Sequence, residues 1–305
     1  MQSTNHILMI RPVAFTFNAQ TAASNSFQKQ DKANSETQNL ALIEFDSLVN
    51  KLINVGVNVT VINDTMEPHK PDSIFPNNWI SFHQNDEIVV YPMQAPNRRL
   101  ERRFDILDQL GDVFELNEIQ DFTASENENK FLEGTGSMVL DRQNKICYAC
   151  LSPRTDLSLL EKFCTKFNYQ LIHFIANDIL GNAIYHTNVV MSVTSDFIII
   201  CKECIPNKVE LAEILASTNK QIIVISLAQL NQFAGNVLEV LGTDNKKYLV
   251  MSEQAFKAFT PIQIQTIETH CTFLHSPLYT IETNGGGSAR CMMAEVFLKV
   301  KDKKQ

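Results

Sequence analysis

The sequence predicts an α/β fold built from five like modules that close into a ring or a stack. Two observations carry this: a passage from helix to strand recurs five times, and a β-hairpin signal stands between successive helix units. A third is the phase of Asn78, Glu133, His186, Asn236 and Cys291, which stand at the heads of the hairpins, 55, 53, 50 and 55 residues apart. One such unit cannot bury its own apolar face, so the copies must pack on one another.

Leu42, Phe45, Val49 and Leu52 recur at helical spacing up to Gly56, after which Val57, Val59 and Val61 alternate as a strand. The same passage is expected at residues 99–110 with 113–116, 157–167 with 169–175, 209–217 with 221–226, and 262–270 with 271–274. Hairpins are expected from Trp79 to Tyr91 around Asn85 and Asp86, and from Met138 to Ala149 around Asp141 to Asn144. Two more are expected from Val189 to Cys201 and from Val237 to Met251, and a last apolar run begins at Cys291 and reaches Val300. Residues 19–40 are rich in Ser, Asn and Gln, lack an apolar period, and read as a mobile loop able to act as a lid.

The chain has 305 residues, 44% of them hydrophobic and 20% charged, with only ten Gly and ten Pro, which excludes disordered and low-complexity classes. The repeat assigns residues 1–305 to a single catalytic domain. A net charge of −8 offers no general field for nucleic acid or anionic lipid, so the expected partner is a small molecule, with no nucleic acid and no membrane. Ile7–Ile10 is too short for a signal peptide, and runs such as Phe197–Cys201 are far below a membrane span. Seven cysteines, an odd number, favour reduced thiols and a cytoplasmic protein over a disulfide framework. A homodimer is compatible with the sequence, which does not fix the oligomeric state.

The chemistry is expected where the five heads converge on the pseudo-symmetry axis. Cys291 follows Asn284-Gly285-Gly286-Gly287-Ser288-Ala289-Arg290, whose glycines permit the close backbone approach that a nucleophile loop needs. A neighbouring imidazolium would stabilise its thiolate, and His186 in Tyr185-His186-Thr187-Asn188 supplies that partner. Taken singly, each would be an ordinary buried residue; the glycine run and the shared phase favour a reactive pair. Glu133, in Phe131-Leu132-Glu133-Gly134-Thr135-Gly136, lies in the same phase and is expected to point inward as an orienting or substrate-binding group. Asn236 shares the phase but stays unassigned, since an Asn before a strand is more often a turn former. Arg154 and the group Arg98, Arg99, Arg102 and Arg103 concentrate cations in an acidic chain; one or two could hold the α-carboxylate of an amino acid, while at least half of the group would form a solvated helix face. Cys147 with Cys150 and Cys201 with Cys204 invite a zinc reading, but the gap between the pairs is too long for a zinc ribbon, and no phosphate loop or His-Glu-x-x-His pattern is present. No metal and no cofactor are expected.

These stretches, with Pro71-Asp72-Ser73-Ile74-Phe75-Pro76-Asn77-Asn78, Ala95-Pro96-Asn97-Arg98-Arg99 and Leu151-Ser152-Pro153-Arg154-Thr155, resemble the pentein superfamily of guanidine-modifying enzymes: arginine deiminases, dimethylarginine hydrolases, agmatine deiminases and amidinotransferases. The resemblance covers nearly the whole chain and comes closest to the citrulline-utilisation hydrolases, or citrulline ureidases. It implies a five-bladed pseudo-symmetric α/β propeller, the pentein fold. It also implies Cys291 as nucleophile, His186 as general acid and base, Glu133 at the substrate head group, and Arg154 with Arg98 or Arg99 at its carboxylate. Where guanidine enzymes usually end the first motif in an acidic residue this chain has Asn77 and Asn78, and where deiminases carry His-x-Asp it has His186-Thr187-Asn188. A guanidinium buried without enough opposing charge is costly, whereas a neutral ureido group is satisfied by amides. The resemblance therefore implies a hydrolase that releases ornithine, carbon dioxide and ammonia from citrulline. Asp72 and Glu133 remain acidic and keep arginine or methylarginine hydrolysis to citrulline as the alternative. A non-catalytic binding module of the same shape is a second alternative, though it would have no need of Cys, His and Glu in phase.

Overall fold

The computed structural model describes residues 1–30 and 36–301. Its strands, in chain order, are β1 (His6–Arg11), β2 (Asn58–Asn63), β3 (Ile80–Phe82), β4 (Glu87–Val90), β5 (Glu118–Asp121), β6 (Val139–Asp141), β7 (Ile146–Cys150) and β8 (Gln170–Phe174). They continue with β9 (Met191–Val193), β10 (Phe197–Cys201), β11 (Gln221–Ile225), β12 (Leu238–Leu241), β13 (Lys247–Ser252), β14 (Thr272–Ser276) and β15 (Ala294–Glu295). Among the described residues these form five three-stranded sheets, ordered β3-β4-β5, β6-β7-β8, β9-β10-β11, β12-β13-β14 and β15-β1-β2.

In each sheet the middle strand pairs antiparallel with one neighbour and parallel with the other. The parallel step needs a crossover, and in the second module this is the helix Leu157–Phe167. Asp156 caps that helix by accepting from the Ser158 and Leu159 amides, Leu160, Phe163, Cys164 and Phe167 form its buried stripe, and Asn168 ends it in the left-handed region. The fifth sheet joins both ends of the chain: Ile7 of β1 pairs with Glu295 of β15 while β1 runs parallel to β2. The chain is thus a five-bladed α/β propeller, as expected.

Middle strands are apolar on both faces because each face meets a different blade. On β1, Ile7 and Met9 join a core with Val240 and Val250, whereas Leu8 and Ile10 join one with Ile80 and Ile88. On β7, Ile146 and Tyr148 pack with Ile198, and Cys147 and Ala149 with Tyr91. Burying each Leu, Ile or Val contributes roughly 1.5–3 kcal/mol, so the blades stabilise one another through alternate side chains of the same strands.

Three expectations are corrected. The third strand of the first module is Glu118–Asp121, not residues 113–116; Phe114 is buried against the preceding helix and makes only a single bridge to Val300. Its apolar pattern reports burial rather than pairing. The helix expected at residues 99–110 is two pieces, a 3₁₀ turn Pro96–Glu101 and a helix Asp105–Gly111, broken at Arg102, where ψ is 86°. Within residues 19–40, a short helix Ala19–Ala22 and the start of the helix Thr37–Asn54 take the two ends of the expected loop, residues 23–30 form neither helix nor strand, and residues 31–35 lie outside the described residues. No helix among the described residues is long and apolar enough to cross a membrane.

Candidate active site

The five in-phase residues all sit at the entry to a blade's first strand. Asn78 ends the turn Pro76–Asn78, Glu133 and His186 precede the short helices Gly134–Ser137 and Thr187–Val190, Asn236 precedes β12, and Cys291 lies in the turn Ala289–Met292. None is more than 3% exposed. A narrow cavity is lined by Asp72, Asn78, Arg98, Arg154, His186 and Cys291, with Phe75, Tyr185 and Gly285 to Gly287 completing its wall.

Glu133 stands directly behind His186. Its Oε2 lies 2.9 Å from His186 Nε2 and 3.5 Å from Arg154 Nη1, and its Oε1 accepts the Gln94 amide at 3.0 Å. Burial pushes this carboxyl up, but Arg154, His186 and Arg98 outweigh it and hold it at about 2. Burial also dominates at His186: the bond to Glu133 raises its pKa, Arg154 and Arg98 lower it, and the imidazole falls to about 4. The imidazolium expected beside the thiol is therefore a neutral imidazole at pH 7. Since ionised Glu133 can only accept, Nε2 carries the ring proton and Nδ1 the lone pair.

The Cys291 sulfur is met by two carboxamides, Asn236 Nδ2 at 3.3 Å and Asn188 Nδ2 at 3.5 Å. The glycine loop before it is held by the Tyr185 hydroxyl, which donates to Gly286 O at 2.6 Å. Gly286 has φ +63°, and a Cβ there would meet Asn25 Nδ2 at 2.5 Å. Gly136 is required for space: a Cβ would lie 2.4 Å from Asn78 Nδ2 and 2.8 Å from the His186 ring.

Arg98 is buried and clamped by Glu101, with both N–H···O distances 2.9 Å; its Nη1 donates to Asn78 Oδ1 at 2.9 Å, and Asp72 lies 3.7 Å from its Nε. Burial lowers the Arg98 pKa, but Glu101 and Asp72 reverse this and raise it, while burial pushes Glu101 up to about 7. Asp72 is also pushed up by burial; its Oδ2 accepts from Asn18 and Thr21 and its Oδ1 has no partner. Arg154 lies over the Tyr185 ring and donates to Thr21 O at 3.0 Å and Ser24 Oγ at 2.7 Å. Gln28 Nε2 donates to Asn284 O and Asn25 Nδ2 to Gly286 O, so the N-terminal segment covers the cavity.

The structure thus gathers Asp72, Asn78, Arg98, Arg154, His186 and Cys291 around one cavity, with Glu133 behind His186 and Asn188 against the sulfur. It does not bring Asn77 or Arg99 into the lining. Asn77 is buried with its carboxamide unpartnered, and Arg99 donates to Met93 O beside Glu126 and over Phe131. Thr21, Asn25, Glu101 and Gln94 escaped the sequence reading because polar residues in segments without period carry no signal; Phe75 and Tyr185 lay inside recognised motifs. Among the described residues no three His, Cys, Asp or Glu side chains gather as metal ligands, and all seven cysteines are free thiols.

This architecture recurs in solved structures. ArgZ without ligand, an arginine dihydrolase from the ornithine–ammonia cycle in cyanobacteria, matches with a TM-score of 0.76 at 15% identity over 95% of this chain and 40% of its own. Unliganded AgrE matches with a TM-score of 0.76 at 16% identity, over 98% of this chain and 40% of its own. The chain thus spans about two fifths of those proteins. A dimethylarginine dimethylaminohydrolase variant carrying an S-methyl-L-thiocitrulline adduct matches with a TM-score of 0.63 at 13% identity, over 97% of this chain and 100% of its own. No curated protein matches the sequence. The model of the family described as N,N dimethylarginine dimethylhydrolase, eukaryotic, matches residues 11–298, nearly the whole chain. With that match and the five-bladed fold, the chain belongs to the N,N dimethylarginine dimethylhydrolase, eukaryotic, family within the pentein superfamily.

Proposed function

We propose that the chain is a cysteine-dependent hydrolase of the ureido group of citrulline, yielding ornithine, carbon dioxide and ammonia. The observation that carries this is the orientation of Asn78. Arg98 Nη1 can only donate, so the Asn78 atom facing it at 2.9 Å is the oxygen, and the cavity-lining carboxamide is left with an unpartnered N–H donor at Nδ2. A guanidinium offers only donors and leaves that group unsatisfied. A ureido oxygen accepts from it, and the ureido N–H groups find an acceptor in the free Oδ1 of Asp72.

The thiol and the neutral imidazole begin the reaction together. As the Cys291 sulfur bonds to the ureido carbon, His186 Nδ1 takes the thiol proton and delivers it to the departing nitrogen, whose C–N bond breaks. Glu133 holds the transient imidazolium. Water then adds to the thioester-like intermediate, His186 takes its proton, and the C–S bond breaks with return of that proton to sulfur. If the ornithine nitrogen departs first, the hydrolysis releases carbamic acid, which decomposes to carbon dioxide and ammonia; if ammonia departs first, it releases N-carboxyornithine, which decomposes to carbon dioxide and ornithine. Arg154 is suited to the substrate carboxylate, whereas Arg98 is taken up by Glu101 and Asn78, and the covering segment 19–30 is suited to excluding bulk water.

The second reading, hydrolysis of arginine or methylarginine to citrulline, is favoured by the unpartnered Asp72 carboxylate oxygen and by the family description. Incubation with citrulline and with arginine, assaying ornithine and citrulline, separates the two. Ornithine from citrulline supports the ureido reading, and turnover of arginine alone overturns it.

A further inference from the structure

We propose that Asn236 is a catalytic residue whose side-chain N–H, together with that of Asn188, donates to the Cys291 sulfur and stabilises it as a thiolate. The inference rests on Cys291 being the nucleophile of the proposed function.

The orientation of the Asn236 carboxamide is fixed from both ends. Its Oδ1 accepts the Arg290 amide at 3.1 Å, which only an oxygen can do, so Nδ2 is the atom that donates to Asn188 O at 2.9 Å and to Cys291 Sγ at 3.3 Å. Each of its two N–H bonds has one acceptor, a carbonyl oxygen and the sulfur. The same bond to the Arg290 amide ties Asn236 to the backbone of the residue preceding Cys291, so donor and nucleophile are held as a unit. Asn236 is fully buried, and a dry N–H donor is worth more to an anion than an exposed one.

The other charged and titratable groups around the sulfur do not replace it. His186, from the third blade, donates its Nε2 N–H to Glu133 and has only a lone pair at Nδ1. The Arg290 guanidinium is occupied by Met293 O and Glu295. Tyr185 donates to Gly286 O. Across the cavity, Asp72 is negative when ionised, Arg98 is clamped by Glu101, and Arg154 is held by Thr21, Ser24 and Glu133. The two amides are the donors that touch the sulfur.

The test needs no substrate, so it is independent of whether citrulline or arginine is turned over. The rate of Cys291 alkylation by iodoacetamide is followed by mass spectrometry of its peptide, in the wild type and in Asn236→Ala, at about pH 7 and about pH 10. Loss of a hydrogen bond to a charged group is expected to slow alkylation about tenfold at the lower pH and to leave it within about twofold at the higher. Should the alanine variant fail to fold, Asn236→Asp carries the test. It keeps the acceptor for the Arg290 amide, replaces the donor by an oxygen, and should slow alkylation at least as much at the lower pH. An unchanged rate at about pH 7, or an equal loss at both pH values, overturns the proposal by showing that Asn236 only shapes the loop.

Discussion

Glu133 and His186, 53 residues apart in the sequence, meet at 2.9 Å from carboxylate to imidazole, and both side chains are sealed from solvent. This contact requires two successive blades to face one axis, and it decides which ring nitrogen of His186 carries the proton. Glu133 is ionised, His186 is neutral, and the free lone pair is on Nδ1.

The acid limb of the pH profile follows from the burial of His186. His186 must be neutral to accept a proton and titrates at about 4, so kcat/KM is expected to persist below pH 6 and halve near pH 4. The unfolded chain protonates this ring near 6.5, above the folded value; its contribution to stability is therefore present above pH 6.5 and lost as pH falls toward 4. A limb centred near 6.5 would show that the imidazole is not held by burial.

Asn78→Asp tests the head-group reading. Replacing the Nδ2 donor by an oxygen removes the partner for a ureido carbonyl and supplies one for a guanidinium. Citrulline kcat/KM is expected to fall about tenfold or more, and the ratio of arginine to citrulline turnover to rise. An unchanged ratio would mean that Asn78 does not select the substrate.

Gly136→Ala should damage chemistry more than binding. The new methyl would press on Asn78 Nδ2 and on the His186 ring. Displacing a catalytic group by a fraction of an ångström to one ångström is expected to lower kcat about a hundredfold with a much smaller change in KM. Equal losses in both would point instead to a cavity that has closed.

Arg98→Met removes the cation from a buried cluster containing Glu101 and Asp72. Leaving Glu101 unpaired is expected to cost about 3–5 kcal/mol in urea unfolding at pH 8. Glu101 titrates at about 7 beside Arg98, above its unfolded value; without the guanidinium that lowers it, its carboxyl is pushed higher still and takes up a proton, so the loss should grow as pH rises above about 7 and shrink as the solution is acidified. A loss that is independent of pH would assign the effect to packing.

Much of this arrangement was legible in the sequence, because a five-fold repeat turns residue spacing into geometry. The phase that linked Glu133, His186 and Cys291 is the blade period, and the helix at 157–167 and the strand Phe197–Cys201 were visible from apolar pattern alone. Asn236 was in phase but unassigned, since nothing in a sequence tells an Asn that holds a sulfur from one that shapes a turn. Burial was also hidden: the basic run from Arg98 to Arg103 reads as carboxylate-binding residues mixed with a solvated helix face, and only the clamp by Glu101 three residues on reveals Arg98 as a core residue. The strand expected at residues 113–116 was displaced because Phe114 is apolar for packing against Leu110, a distinction that pattern cannot draw.

The most direct measurement is mass spectrometry of an acid-quenched reaction with citrulline labelled at its ureido carbon. The account predicts that the labelled carbon appears on the Cys291 peptide during turnover, and that Cys291→Ala still binds citrulline but releases no ornithine. Turnover of citrulline with Cys291 unmodified throughout, or with the label on another residue, would contradict it.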